Sequence, residues 1–415
     1  MRWFAQDPPR TSTRPTHVGG VWYNGLMRRM TVAERRARLG LRHRLTAHAS
    51  SPREVAQSLV ALHATDPATV FLSVLARQPD TTVAQIEDTL YEDRSLIRLH
   101  GMRRTIFVAP VETAPAILHS CVHTFVTQTR KTYVQALTAA GVGGDAWLSE
   151  VEASAEAALA KRGTATAGQI SSDEPRLLTK LTIASGKPYE STTSITAWIL
   201  FLLAAEGRIA RGRPSGSWTS SQWTWSPMDK WLPGGVPELP AAQARADLAR
   251  AWLGAFGPAT VADLKWWTGW TVGHARQALA AIGAVEVDLD GVTGLVLPED
   301  LEPVGEQPPW VALLPALDPT PMGWGQRQWY LGDHTAAVFD NSGNVGPTVW
   351  CDGRVVGGWA QLPSGEVVYK LLEDVGREAQ SALDSAAGRL SRWLGSVRLT
   401  PRTRRKTLVE KDLIG

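Results

Sequence analysis

Two short strings occur twice in this 415-residue chain, in the same order, and they constrain the fold more than any other feature. Gly163-Thr164-Ala165-Thr166-Ala167-Gly168-Gln169-Ile170 is matched 94 residues later by Gly257-Pro258-Ala259-Thr260-Val261-Ala262-Asp263-Leu264. Leu203-Ala204-Ala205-Glu206-Gly207-Arg208-Ile209 is matched 76 residues later by Leu279-Ala280-Ala281-Ile282-Gly283-Ala284-Val285. The second string reads as a helix stopped by a glycine, which takes the left-handed backbone just past a helix end, followed by a strand. Two ordered pairs argue for tandem units. A comparable unit precedes them. Val55 to Leu62 has apolar residues at helical spacing, Asp66-Pro67 restarts a helix with Asp66 as N-cap, and a further helix runs from about Thr82 to Tyr91. Ser95 to Val108 then reads as two strands around a turn containing Gly101. Three helices followed by a basic hairpin is the plan of a winged helix.

From about residue 308 the pattern changes to short strands with Gly and Pro turns, at Trp310–Leu314, Ala336–Phe339, Pro347–Trp359 and Glu366–Tyr369. This predicts a small antiparallel β domain, followed by a long helix from Glu373 to Leu394 and a basic tail. Residues 1–29 have no apolar period and are read as a disordered extension or a mis-assigned start, with the fold beginning at the cap-forming Thr31. The expected division is 30–150, 151–235 and 236–305 for three winged helices and 306–415 for the β domain with its helix and tail.

Composition narrows the function. With 44% hydrophobic and 20% charged residues the chain can bury real cores, which excludes disorder as its main theme. Two cysteines, Cys121 and Cys351, permit neither a disulfide framework nor a Cys-rich zinc site. The nine histidines show no metal-ligand spacing, and no phosphate-cradling or nucleophile-elbow motif is present, so neither metal nor cofactor is expected. No apolar run reaches the ~18 residues of a membrane span, so a cytoplasmic protein without a membrane partner is expected. Lys plus Arg is 43 against 40 acids, and the bases cluster. Seven Arg and one acid lie between Arg28 and Arg44, and five Arg, one Lys and no acid between Arg392 and Lys406. Such clusters suit a phosphate-facing side, or two solvated faces. Trp218, Trp223, Trp225 and Trp231 follow the middle unit, where they pack loops or stack on bases.

In this order, four strings resemble the winged-helix DNA-binding family that includes the AlkZ-like and YcaQ-like DNA glycosylases. They are Ser58-Leu59-Val60-Ala61-Leu62-His63-Ala64-Thr65-Asp66-Pro67, Met102-Arg103-Arg104-Thr105-Ile106-Phe107-Val108-Ala109-Pro110, Leu313-Leu314-Pro315-Ala316-Leu317-Asp318-Pro319 and Asp352-Gly353-Arg354-Val355-Val356-Gly357-Gly358-Trp359. The resemblance implies an α+β fold of tandem winged-helix (helix-turn-helix) domains with a C-terminal antiparallel β-barrel-like domain around a DNA-sized channel. It also implies hydrolysis of the N-glycosidic bond of alkylated, N7-adducted purines, including bulky adducts and crosslinks, in double-stranded DNA, with no obligate protein partner. Active members carry Gln–apolar–Gln or Gln–apolar–Asp where this chain has His63-Ala64-Thr65, so the matched positions hold different chemistry. A winged-helix DNA binder without catalysis is the competing reading.

An N7-alkylated guanine leaves as a neutral base, so its enzyme must steady an oxocarbenium-like sugar and place a water. A neutral His63 with an ordinary pKa near ~6.5 accepts a proton from that water, Thr65 orients it through its hydroxyl, and Asp66 supplies negative charge near the sugar. Each has a plainer alternative: a helix-end hydrogen bond, a turn and a helix cap. Arg103 and Arg104 in the first hairpin are read as groove or phosphate contacts, and Arg208, Arg211 and Arg213, at the start of the middle wing, as phosphate contacts.

Overall fold

The computed structural model describes residues 22–23, 26–183, 191–400 and 404–415. In the first unit the helices Val32–Arg42, Pro52–Ser58 and Pro67–Leu75 start at Thr31, Ser51 and Asp66, each accepting a hydrogen bond from a backbone N–H of the first turn. Those side chains satisfy donors that the first turn leaves without an intrahelical partner. A three-stranded antiparallel sheet follows, with Ile106–Pro110 between Leu62–His63 and Leu96–His100.

Both matched strings of the later units fold alike. Thr166 and Thr260 each cap a helix in a capping box, with Gln169 and Asp263 reaching back to the cap. Gly207 and Gly283 both take positive φ at a helix end (73° and 66°), and strands begin at Ile209 and Val285. The middle unit closes with Ala165–Thr166, Trp223–Pro227 and Ile209–Pro214 in one sheet, and the last with the hairpin Val285–Leu289 and Val292–Val296.

The C-terminal strands Val311–Leu314, Thr348–Cys351, Arg354–Gln361 and Val367–Leu371 form an antiparallel sheet in that order. Its outer strands do not pair with one another among the described residues, so no barrel closes. The long helix Gly376–Leu394 buries Leu383, Ala387, Leu390 and Leu394, one apolar stripe of an amphipathic helix. The strand expected over Ala336–Phe339 is a helical turn, Thr335–Val338. An apolar run of four does not distinguish the two by period.

The expected extension over 1–29 needs a second correction at its end. Residues 1–21 and 24–25 lie outside the described residues, but Met30 N donates to Asp288 O (2.9 Å) and Asp288 N to Arg28 O (2.8 Å). Met30 is fully buried beside Val285, Val287, Leu289 and Val296. The chain is therefore anchored on the last hairpin before its first long helix begins. Among the described residues no helix is long and apolar enough to cross a membrane.

Candidate active site and nucleic-acid interface

Antiparallel pairing places His63 opposite Phe107, and Phe107 opposite Leu99. Paired residues share a face and neighbours alternate, so Arg98 and His100 occupy the other face of this sheet. His63 is buried, with its ring edge-on to Phe107 at 5.3 Å between centroids. Its Nδ1 has no hydrogen-bond partner among the described residues, and neither has Thr65 Oγ1. Native interiors seldom leave such groups unpaired, and here two lie two residues apart.

The ordinary imidazole pKa expected for His63 is overturned. Burial, and secondarily the positive charge of Arg103, push it down to about 3. His63 is therefore neutral throughout the physiological range and too weak a base to keep a proton. It still offers a lone pair or an N–H to a bound water.

Asp66 caps the helix Pro67–Leu75, Oδ1 accepting from Ala68 N at 3.1 Å. Its role as a cap is structural and fixes its carboxylate at the end of the His63-Ala64-Thr65 segment. Arg98 also holds this segment from the opposite face, its Nη1 donating to Ala64 O at 3.2 Å while its guanidinium lies 4.2 Å from the Trp223 ring.

Arg103 and Arg104 occupy the tight turn Met102–Thr105, with φ of 53° and 64°. Turns of this kind favour Asn and Gly because both central residues must be left-handed. Gly101 precedes the turn rather than forming its tip. Arg103 lies 4.1 Å over Trp266, and Arg327 lies 4.6 Å from the same ring. Burial, then Arg327, lowers the Arg103 pKa to about 10. Two guanidiniums thus share one indole, and neither is in an ion pair among the described residues; Arg327 Nε donates to Trp324 O at 2.8 Å. Arg104 is exposed, 5.9 Å from the Phe125 ring.

The middle-unit arginines separate into two kinds. Arg208 is engaged by Glu156 at 2.5 Å, Glu206 at 3.4 Å and Glu152 at 3.6 Å, and Arg213 by Glu87 and Glu92. Arg211 alone of the three has no carboxylate partner among the described residues. It lies 5.0 Å over Trp225, its Nε is orphaned, and burial followed by Arg98 lowers its pKa to about 10. With Arg98 it makes a pair of guanidiniums behind the same sheet, beside His100, whose Nδ1 has no partner among the described residues and whose pKa burial depresses to about 3, leaving it neutral.

Arg98 and His100 were legible as charged or polar residues inside a strand that is otherwise apolar. Arg327 and Trp266 carry no local signal and join the site only through the fold. Most of the N-terminal arginine cluster is structural: Arg28 and Arg38 pair with Glu34, Arg42 with Asp300, Arg44 with Glu54, and Arg36 donates to Trp329 O. Arg402 lies outside the described residues, and Arg404 is buried against Glu410 at 2.5 Å.

A family model described as DNA glycosylase AlkZ-like matches residues 56–393, so the chain belongs to the AlkZ-like DNA glycosylase family. Among its relatives is an interstrand DNA cross-link repair glycosylase of Streptomyces sahachiroi, 30% identical over 178 residues, 41% of this chain. The match spans 47% of that protein, about half its length. The solved structure of Streptomyces sahachiroi DNA glycosylase AlkZ resembles the fold with a TM-score of 0.69 at 22% identity, over 90% of this chain and 99% of that one.

Proposed function

We propose that this protein is a DNA glycosylase that hydrolyses the N-glycosidic bond of N7-alkylated purines in duplex DNA, bulky adducts and crosslinks included. The observation that carries the reading is the pair of unpartnered polar atoms, His63 Nδ1 and Thr65 Oγ1, beside the Arg103–Trp266–Arg327 stack. They stand where the resemblance puts the catalytic Gln–apolar–Gln pair. A water held between the imidazole and the hydroxyl adds to C1′ as the C1′–N9 bond breaks, and the bonding electrons leave with a base that becomes neutral. With a pKa of about 3, His63 orients this water through a hydrogen bond, and the water's proton is released to solvent as the C1′–O bond forms. Asp66, fixed by its cap, places negative charge near the cationic sugar. Arg103, Arg104 and Arg211 face the phosphates, and Arg98 positions the His63–Thr65 segment from behind.

On this reading the units 30–150, 151–235 and 236–305 are winged helices, and 306–415 is a β-sheet domain with its helix and tail. The site works on duplex DNA wherever the cell keeps it, the nucleoid included. The test is to incubate the purified protein with duplexes bearing N7-methylguanine or a bulky N7 adduct and to cleave abasic sites with alkali. Lesion-dependent scission is expected. Tight, salt-sensitive DNA binding without scission on any lesion leaves a non-catalytic damage binder instead.

A further inference from the structure

A hollow of about 980 Å³, whose lining does not include His63, lies between the helix Gly376–Leu394, the far end of the helix Pro67–Leu75 and the Pro308–Leu313 segment. Its lining begins at Leu72, six residues beyond Asp66 and so about 9 Å along that helix. One stripe of the long helix packs the sheet. A second stripe, Ala379, Ala382 and Ala386, faces the hollow at the i, i+3, i+7 spacing of a single helix face. Alanines opposite Leu72 and Trp310 leave space that leucines would fill. The hollow is open to solvent on the side of Ala382 and Arg389, and it has the size of small-molecule pockets, about 300–1,000 Å³.

The mouth is polarised. Glu378 lies toward the start of the helix, whereas Arg389 and Arg392 stand one turn apart near its end, with His48 across from them. Neither arginine is in an ion pair or hydrogen bond among the described residues. Asp80 borders the adjoining smaller hollow beside Arg389 without pairing to it. An apolar floor with two unpartnered guanidiniums at one end complements a molecule that is greasy along its body and anionic at one tip.

We infer that this hollow binds a small amphiphile, an apolar body with a single carboxylate or sulfonate head, the body lying along Ala379–Ala386 and the head on Arg389 and Arg392. The site is separate from the His63 site and does not depend on glycosylase activity. It is tested on the full chain by fluorescence titration with 1-anilinonaphthalene-8-sulfonate, with circular dichroism melting of every variant. Saturable binding of one molecule per chain is expected, lost in Ala382→Trp, which fills the hollow, and weakened at least fivefold in Arg389→Gln/Arg392→Gln, whose exposed positions leave the fold intact. Competition by dodecanoate assigns an aliphatic body to the natural ligand, and resistance to it an aromatic one. Absence of saturable binding overturns the inference, as does binding that the double arginine variant leaves unchanged.

Discussion

Arg104 holds a left-handed backbone at an exposed turn, a conformation that costs a residue with a Cβ about 1 kcal/mol or more relative to glycine. Its one aromatic neighbour is too distant to offset much of that cost. Arg104→Gly is therefore expected to raise stability in urea unfolding by about 1 kcal/mol while weakening DNA binding and flattening its salt dependence by close to one phosphate contact. Opposite signs in the two measurements separate a residue placed for DNA from one placed for the fold. The buried histidines make a second residue-scale prediction. His43, His63 and His100 are each depressed to about 3, burial being the main cause, followed by Arg77, Arg103 and Arg211 respectively. All three are neutral when folded and take up a proton below about pH 6.5 when unfolded. Stability is complete above that pH and falls toward pH 3, by about 1.4 kcal/mol per pH unit for each histidine. Urea midpoints from pH 7.5 to 5 should decline accordingly, and His63→Gln should remove about one proton's share of the slope.

Hairpins carry the site, and their signals divide the same way as their residues. The first hairpin and the Asp66 helix cap could be read from the sequence because turns, caps and periodicity are local. Which arginines of the middle hairpin remain available could not, because their partners Glu87, Glu92, Glu152 and Glu156 lie 52 to 126 residues away or on another helix. That difference is measurable. Arg211→Gln is expected to weaken duplex binding and reduce its salt dependence with little change in melting temperature. Arg208→Gln should leave DNA affinity unaltered and lower stability by about 1 kcal/mol, since it loosens a network around the buried Glu152. The barrel expectation failed for a related reason. Strand-like runs reveal neither whether a sheet closes nor whether four residues such as Ala336–Phe339 coil into a turn.

Across the whole molecule, a fully buried pair ties the N-terminal unit to the C-terminal region. Asp318 accepts from Arg77 Nη2 at 2.7 Å and Nη1 at 2.9 Å, from Ser73 Oγ at 2.7 Å and from Thr320 N at 2.9 Å. Burial alone would raise the Asp318 pKa, but the charge of Arg77 and these hydrogen bonds together hold it below the usual carboxylate range. Removing one partner strands a buried charge, so Arg77→Met or Asp318→Ala is expected to cost about 3–5 kcal/mol in urea unfolding, whereas small losses would show the pair to be dispensable. The Leu313–Pro319 string, which carries part of the family resemblance, thus also acts as a clamp that keeps the helix Pro67–Leu75, and with it the His63–Thr65 segment, in place. The central claim is that the imidazole and hydroxyl orphaned at the start of this helix hold the attacking water. Single-turnover release of free 7-methylguanine from duplex DNA tests it most directly, with DNA affinity measured in parallel for wild type, His63→Ala and Thr65→Val. The account predicts release by the wild type and a drop of about 100-fold or more in His63→Ala, with a smaller loss in Thr65→Val and affinity held within a few fold. Release undiminished in both variants would contradict it.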